Sequence, residues 1–179
     1  MKNLCVFCGS NVGNKTAYVK AAMELAECLV NNNIGLVYGG ASVGLMGRLA
    51  DSVLLAGGEV IGVIPQSLVE RELVHQDLTD LRIVDSMQAR KALMDELSDG
   101  FVALPGGMGT LDELFEVLTW LQLGFHNKPC GLLNVAGYFD GLLSFLDHAT
   151  AEKFIKPEHR AMVIVEETPS KLIAAIAKS

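Results

Sequence analysis

Positive charge is scarce in this chain. Its 179 residues hold 14 lysines and arginines against 21 acids, a formal net charge of −7. A protein that grips nucleic acid broadly presents a basic face, and none is visible, so no nucleic-acid partner is expected. Any phosphate must be held locally, by backbone N–H groups and a few cations. Long apolar runs are also missing: none reaches the ~18 residues that span a bilayer. The opening MKNLCVFCGS has one lysine and then a strand-like run, not the apolar core of a signal peptide. No membrane partner is expected, and a cytoplasmic location is the default. Disorder is excluded from the other side. Half of the chain is hydrophobic and a fifth is charged, too apolar for a chain that stays unfolded.

Metal and thiol chemistry have little to work with. Cys5 and Cys8 form a C-x-x-C, but no second pair accompanies them, and Cys28 and Cys130 stand alone. Redox pairs sit at a helix start, where the dipole favours thiolate; these sit in or just after a strand-like run. They are read as small buried residues. His75, His126, His148 and His159 lack ligand spacing, so no metal site is expected.

What the chain has is alternation. Strand-like runs fall at 2–8, 34–38, 59–64, 81–85, 100–104, 130–135 and 162–166. Helical patterns lie at 15–32, 45–57, 87–98, 110–124, 138–152 and 168–178. Runs such as FVALPGG are almost continuously apolar up to their glycines, which suits parallel strands covered on both faces. The expected fold is α/β: a Rossmann-like, doubly wound parallel sheet of about seven strands flanked by helices. A single domain over 1–179 is expected. The stretch 65–80 reads as irregular, a flap or lip of the site.

Ligands of such a sheet bind beyond the carboxyl ends of the strands. Three strand ends run into small residues there: Cys8-Gly9-Ser10-Asn11, the glycine-rich 38–47 and Leu104-Pro105-Gly106-Gly107-Met108-Gly109-Thr110. The last is the most informative. Glycines let backbone amides approach an anion, and a helix starting near Thr110 would aim free N–H groups at the same spot. Thr110 caps that helix, donates its hydroxyl to phosphate, or both. Its T-x-x-E spacing to Glu113 also fits a capping box. No Lys-Ser/Thr follows the glycines, so this is not a Walker A loop. Asp112 and Glu113 are placed in the first turn, where acids offset the dipole. Arg90 and Lys91 open another helix, where cations are mildly unfavourable. They point to an anionic ligand, to pairing with the acids, or to a surface ion pair.

Pro105-Gly106-Gly107-Met108-Gly109-Thr110-Leu111-Asp112-Glu113 resembles the P-G-G-x-G-T-x-x-E motif of the LONELY GUY family, the cytokinin riboside 5′-monophosphate phosphoribohydrolases. The resemblance extends through Cys8-Gly9-Ser10, Val37-Tyr38-Gly39-Gly40, Gly44-Leu45-Met46-Gly47, Gly62-Val63-Ile64-Pro65, Arg90-Lys91, Trp120-Leu121-Gln122-Leu123-Gly124 and Gly131-Leu132-Leu133-Asn134-Val135. It covers nearly the whole chain. It implies hydrolysis of the N-glycosidic bond of a purine nucleoside 5′-monophosphate, AMP or an N6-substituted cytokinin type, to free base and ribose 5-phosphate. It also implies a homodimer with no metal or organic cofactor. By residue, it implies that Gly107, Met108, Gly109 and Thr110 bind phosphate and that Arg90 and Glu113 are catalytic. Glu72, Lys91, Leu111, Asp112 and Thr119 would lie at the ligand. Two departures stand out: Gln88 replaces a usual histidine, and Ala41 a common third glycine.

Two other readings compete. A non-catalytic nucleotide or molybdenum-cofactor carrier shares the glycine loop. A lysine decarboxylase, the older label of bacterial members, would need pyridoxal phosphate on a lysine, and Lys91 is the lysine nearest the proposed site.

Overall fold

Strands buried on both faces need apolar residues at consecutive positions rather than at alternate ones. The runs NLCVF and GLVY meet that demand and are buried throughout. The computed structural model describes residues 1–69 and 74–179. Its strands are β1 (Asn3–Phe7), β2 (Gly35–Tyr38), β3 (Val60–Pro65), β4 (Asp80–Val84), β5 (Phe101–Ala103), β6 (Cys130–Leu133) and β7 (Val163–Glu166). They form one seven-stranded sheet in the order β4-β3-β2-β1-β5-β6-β7. Every pairing is parallel. The expected α/β Rossmann-like sheet is therefore borne out.

The helices are α1 (Thr16–Asn31), α2 (Gly44–Leu55), α3 (Gln66–Val69), α4 (Met87–Glu96), α5 (Met108–Leu123), α6 (Asp140–Ala151), α7 (Pro157–Arg160) and α8 (Pro169–Ile176). Helix α1 buries Tyr18, Ala21, Ala22, Leu25, Ala26 and Leu29, the i, i+3, i+4 stripe of an amphipathic helix. It packs with α2 and α8 on one face of the sheet, where Leu25, Leu49 and Leu172 meet Val6, Leu36 and Val102. On the other face Met94 of α4 and Leu114 and Val117 of α5 meet Phe7, Val37, Val63 and Phe101. Part of 65–80 is more regular than expected. Residues 66–69 form the short helix α3, and Val74 makes an antiparallel bridge to Ala41.

Strand β1 sits between β2 and β5, so the strand order reverses on either side of it. That reversal opens a crevice at the carboxyl ends of β1 and β5, where ligands of this architecture bind. Among the described residues, no helix is long and apolar enough to cross a membrane.

The thiols belong to the core. Cys5, Cys8 and Cys130 are free and buried, and Cys28 is half-exposed. Burial pushes the Cys130 thiol up to about 12 and raises Cys5 and Cys8 well above the usual range, so the reactive thiolate is suppressed. Titration of the native protein with Ellman's reagent is expected to consume at most Cys28 quickly. The other three should react only in denaturant. Fast native modification of two or more thiols would contradict this packing.

Candidate active site

Three loops meet at the crevice. The Gly9 N–H donates to the Pro105 carbonyl at 3.0 Å, tying the β1 loop to the β5 loop. The Leu45 N–H donates to Gly9 O at 3.0 Å and brings in the start of α2. Such contact demands a residue without Cβ. A Cβ on Gly106 would lie 2.1 Å from Thr110 Oγ1 and 2.8 Å from the Gly9 nitrogen.

Helix α5 begins two residues earlier than the sequence suggests. Gly107 is its N-cap, and no side chain caps it. The first helical bond runs from Leu111 N–H to Gly107 O, at 3.1 Å. The N–H groups of Gly107, Met108, Gly109 and Thr110 thus precede the first intrahelical donor and stay open to an anion. Thr110 is consequently not a cap. It lies in the first turn and is buried. Asp112 and Glu113 fall in the second turn, and the first turn holds no acid. The dipole accordingly does not explain them.

Their partners do. Arg90, in α4, is 7 % exposed. Its Nη1 lies 3.4 Å from Glu113 Oε1. Its Nε donates to Val63 O at 3.1 Å, and Nη2 lies 3.5 Å from Gly39 O. The guanidinium thereby bridges the ends of β2 and β3 to α5. It fits only because residue 39 is glycine, since a Cβ there would be 2.2 Å from Nη2. At the next position of α4, Lys91 Nζ reaches Asp112 Oδ2 at 2.8 Å and Glu116 Oε2 at 3.2 Å. Burial works against its ammonium, but hydrogen bonds to Asp112 and Glu116 outweigh that and raise its pKa. Of the readings open for this cation pair, pairing with the acids is the one the geometry displays.

Arg90, Lys91, Asp112 and Glu113 are thus brought together beside the open amides of 107–110. Leu111 packs partly into the α4/α5 core. Met108 is 85 % exposed. Thr119 is not part of the cluster. It stands about 9 Å further along α5 than Glu113, at 1.5 Å per residue, with its hydroxyl on Phe115 O. It shares an outward hollow with Met108, Leu111, Phe115 and Trp120, and Asp112 and Glu116 also line it. Glu72 lies outside the described residues. Gln88 is exposed on α4, and Ala41 is fully buried, in the bridge to Val74.

Sequence reasoning missed His75. It is buried, with Nε2 2.9 Å from Asp51 Oδ1, while Nδ1 accepts from the Asp77 N–H at 3.2 Å. Its own N–H donates to Gly40 O at 3.1 Å. This anchors His75 and its neighbours to the second glycine loop.

Residues 46–176 match the family model described as "Possible lysine decarboxylase". The chain is 51 % identical over 172 residues to a cytokinin riboside 5′-monophosphate phosphoribohydrolase of Arabidopsis thaliana, spanning 96 % of this chain and 81 % of that protein. The chain belongs to the LOG (LONELY GUY) family. Among solved structures it is similar to the molybdenum cofactor carrier protein of Chlamydomonas reinhardtii, with a TM-score of 0.75 and 22 % identity over 99 % and 96 % of the two chains. The molybdenum cofactor binding protein of Rippkaea orientalis gives a TM-score of 0.74 and 23 % identity over 99 % and 97 %. At that identity the likeness establishes a shared fold. The identity that reaches half, along 96 % of this chain, lies with the phosphoribohydrolases.

The close packing at Gly106 sets an expected outcome. Gly106→Ala should lower stability by about 1–3 kcal/mol, the usual range for overpacking, because the Thr110 side chain and the Gly9 backbone must both shift. Thermal unfolding checks it; an unchanged Tm would show that the two loops do not touch.

Proposed function

We propose that this LOG-family protein hydrolyses the N-glycosidic bond of purine nucleoside 5′-monophosphates, of the cytokinin riboside type and AMP, to free base and ribose 5-phosphate. The observation that carries the reading is the mostly buried Arg90–Glu113 pair set beside a helix N-terminus whose amides are open. The close relatives with phosphoribohydrolase names support the same activity.

In this reading the amides of Gly107, Met108, Gly109 and Thr110 hold the 5′-phosphate. That remote grip fixes the ribose and supplies binding energy for the reacting centre. Cleavage develops positive charge on the sugar ring, as in other glycoside hydrolyses. The Glu113 carboxylate stabilises that charge and orients a water. The water oxygen bonds to C1′ as the bond to the base nitrogen breaks, and a proton passes to the departing base. Arg90 orients the carboxylate or a ribose hydroxyl. Lys91, Leu111 and Asp112 border the ligand.

Thr119 joins the site when a second copy covers the outward face of α5. The exposure of Met108, Leu123 and Phe125 near that helix supports a homodimer, in the cytoplasm. Schiff-base chemistry at Lys91 is disfavoured by its surroundings. A nucleophilic amine needs a lowered pKa, and two carboxylates hold this one as an ammonium.

Three measurements test the reading. AMP or isopentenyladenosine monophosphate should yield free base by chromatography, while adenosine should react far more slowly. Equal rates would remove the phosphate from the argument, and nucleotide retained intact would mark a carrier. Glu113→Gln should lose about 100-fold or more in kcat, the scale of a single transition-state group; full activity would remove Glu113 from the chemistry. Light scattering should give twice the chain mass.

A further inference from the structure

The motif that follows β6 has no part in the chemistry above, yet it is built with care. Asn134 is buried. Its N–H donates to Glu166 O at 2.8 Å, its side-chain amide to Asp140 Oδ1 at 2.7 Å, and its Oδ1 accepts from the Phe139 N–H at 2.8 Å. This clamp closes a turn in which Ala136 and Gly137 both hold positive φ, 51° and 71°. A positive φ at alanine is uncommon and costs energy, so the surrounding contacts must enforce it. The turn presents Tyr138. Its ring lies edge-on to Tyr18 at 5.6 Å and to the buried Phe139 at 5.0 Å. Its hydroxyl donates to the carbonyl of Gly106. Tyr138, Tyr18, Gly106 and Gly107 line a cavity of about 220 Å³ with the β1 loop.

The carbonyls ahead of α5 are then all accounted for. Pro105 O accepts from the Gly9 N–H and Gly107 O from the Leu111 N–H; Gly106 O accepts from Tyr138. In a trans peptide the C=O of one residue and the N–H of the next point in opposite directions. Fixing Gly106 O therefore fixes the direction of the Gly107 N–H. A Gly-Gly peptide is the easiest to rotate, because neither residue restricts φ and ψ. Rotated, it would turn a carbonyl toward an anion in place of a donor.

We propose that Tyr138 is a positioning residue for phosphate: its hydroxyl locks the Gly106–Gly107 peptide so that the Gly107 amide faces the 5′-phosphate of the substrate. The inference rests on the reading that the 107–110 amides hold that phosphate.

The test is Tyr138→Phe, which keeps the ring against Tyr18 and Phe139 and removes one hydrogen bond. KM for AMP and the inhibition constant of ribose 5-phosphate should rise together, by about five- to tenfold. The kcat should stay within about twofold and Tm should not move. Slow cleavage of adenosine, which lacks the phosphate, should be unaltered. The Gly107 amide cross-peak should lose its shift on addition of ribose 5-phosphate or move less. Unchanged KM and inhibition constant in a variant of an active enzyme would overturn the assignment, as would an equal loss on adenosine. A lowered Tm with KM unchanged would make Tyr138 a packing residue only, which also overturns it. If the wild-type protein cleaves AMP but ribose 5-phosphate fails to perturb Gly107, the positioning role falls while the proposed activity stands. If it neither cleaves AMP nor binds ribose 5-phosphate, both fall together.

Discussion

A single backbone hydrogen bond, Gly9 N–H to Pro105 O at 3.0 Å, holds together the two loops on which the candidate site depends. It sits where β1 lies between β2 and β5, the place where the strand order reverses. Because the loops approach so closely, the residue beside that bond can carry no Cβ. Because Gly107 has no side chain to cap α5, the amides that follow are left for an outside partner. Strand order, glycine content and open amides therefore come together at one close approach. The same approach places α5 against α4, where Arg90 and Lys91 meet the acids of α5.

Under the proposed function a chain of net charge −7 must hold a dianion, and the geometry allows this by division of labour. The two cations nearest the glycine loop are paired with carboxylates. The amides carry no net charge but are oriented, and in the proposed reading it is they that meet the phosphate. Glu113 is thereby tolerated near an anion, since its charge is balanced by a guanidinium that also serves two strand-end carbonyls. A carboxylate held in this way is available to a developing cation on a sugar ring.

The glycine loops and their strands were readable because an apolar run ending in glycine has few other uses. Their meeting point followed from the general behaviour of parallel sheets. The start of α5 was not readable. The T-x-x-E spacing of Thr110 and Glu113 imitates a capping box, whereas a bare glycine does the capping and leaves Thr110 inside the first turn. His75 escaped notice for a different reason. Its partners Asp51 and Gly40 are distant in sequence, and a histidine with tertiary partners has no spacing to detect. Arg90 was singled out, but not its carbonyl acceptors at Val63 and Gly39, which exist only once β2 and β3 are side by side. Thr119 was identified by resemblance alone, and within one chain it faces outward.

The central position of β1 bears on how the protein is made. Its first neighbour, β2, begins at Gly35, but its second, β5, begins at Phe101. On a ribosome, β1, β2 and β3 can pair while the other edge of β1 waits for β5, which begins 94 residues after β1 ends. An apolar edge strand left open invites adhesion to other chains, and pairing that spans such a distance is slow. The crevice itself exists only after β5 has docked, so the candidate site is completed in one late step, and factors that shield unpaired strands would act before it.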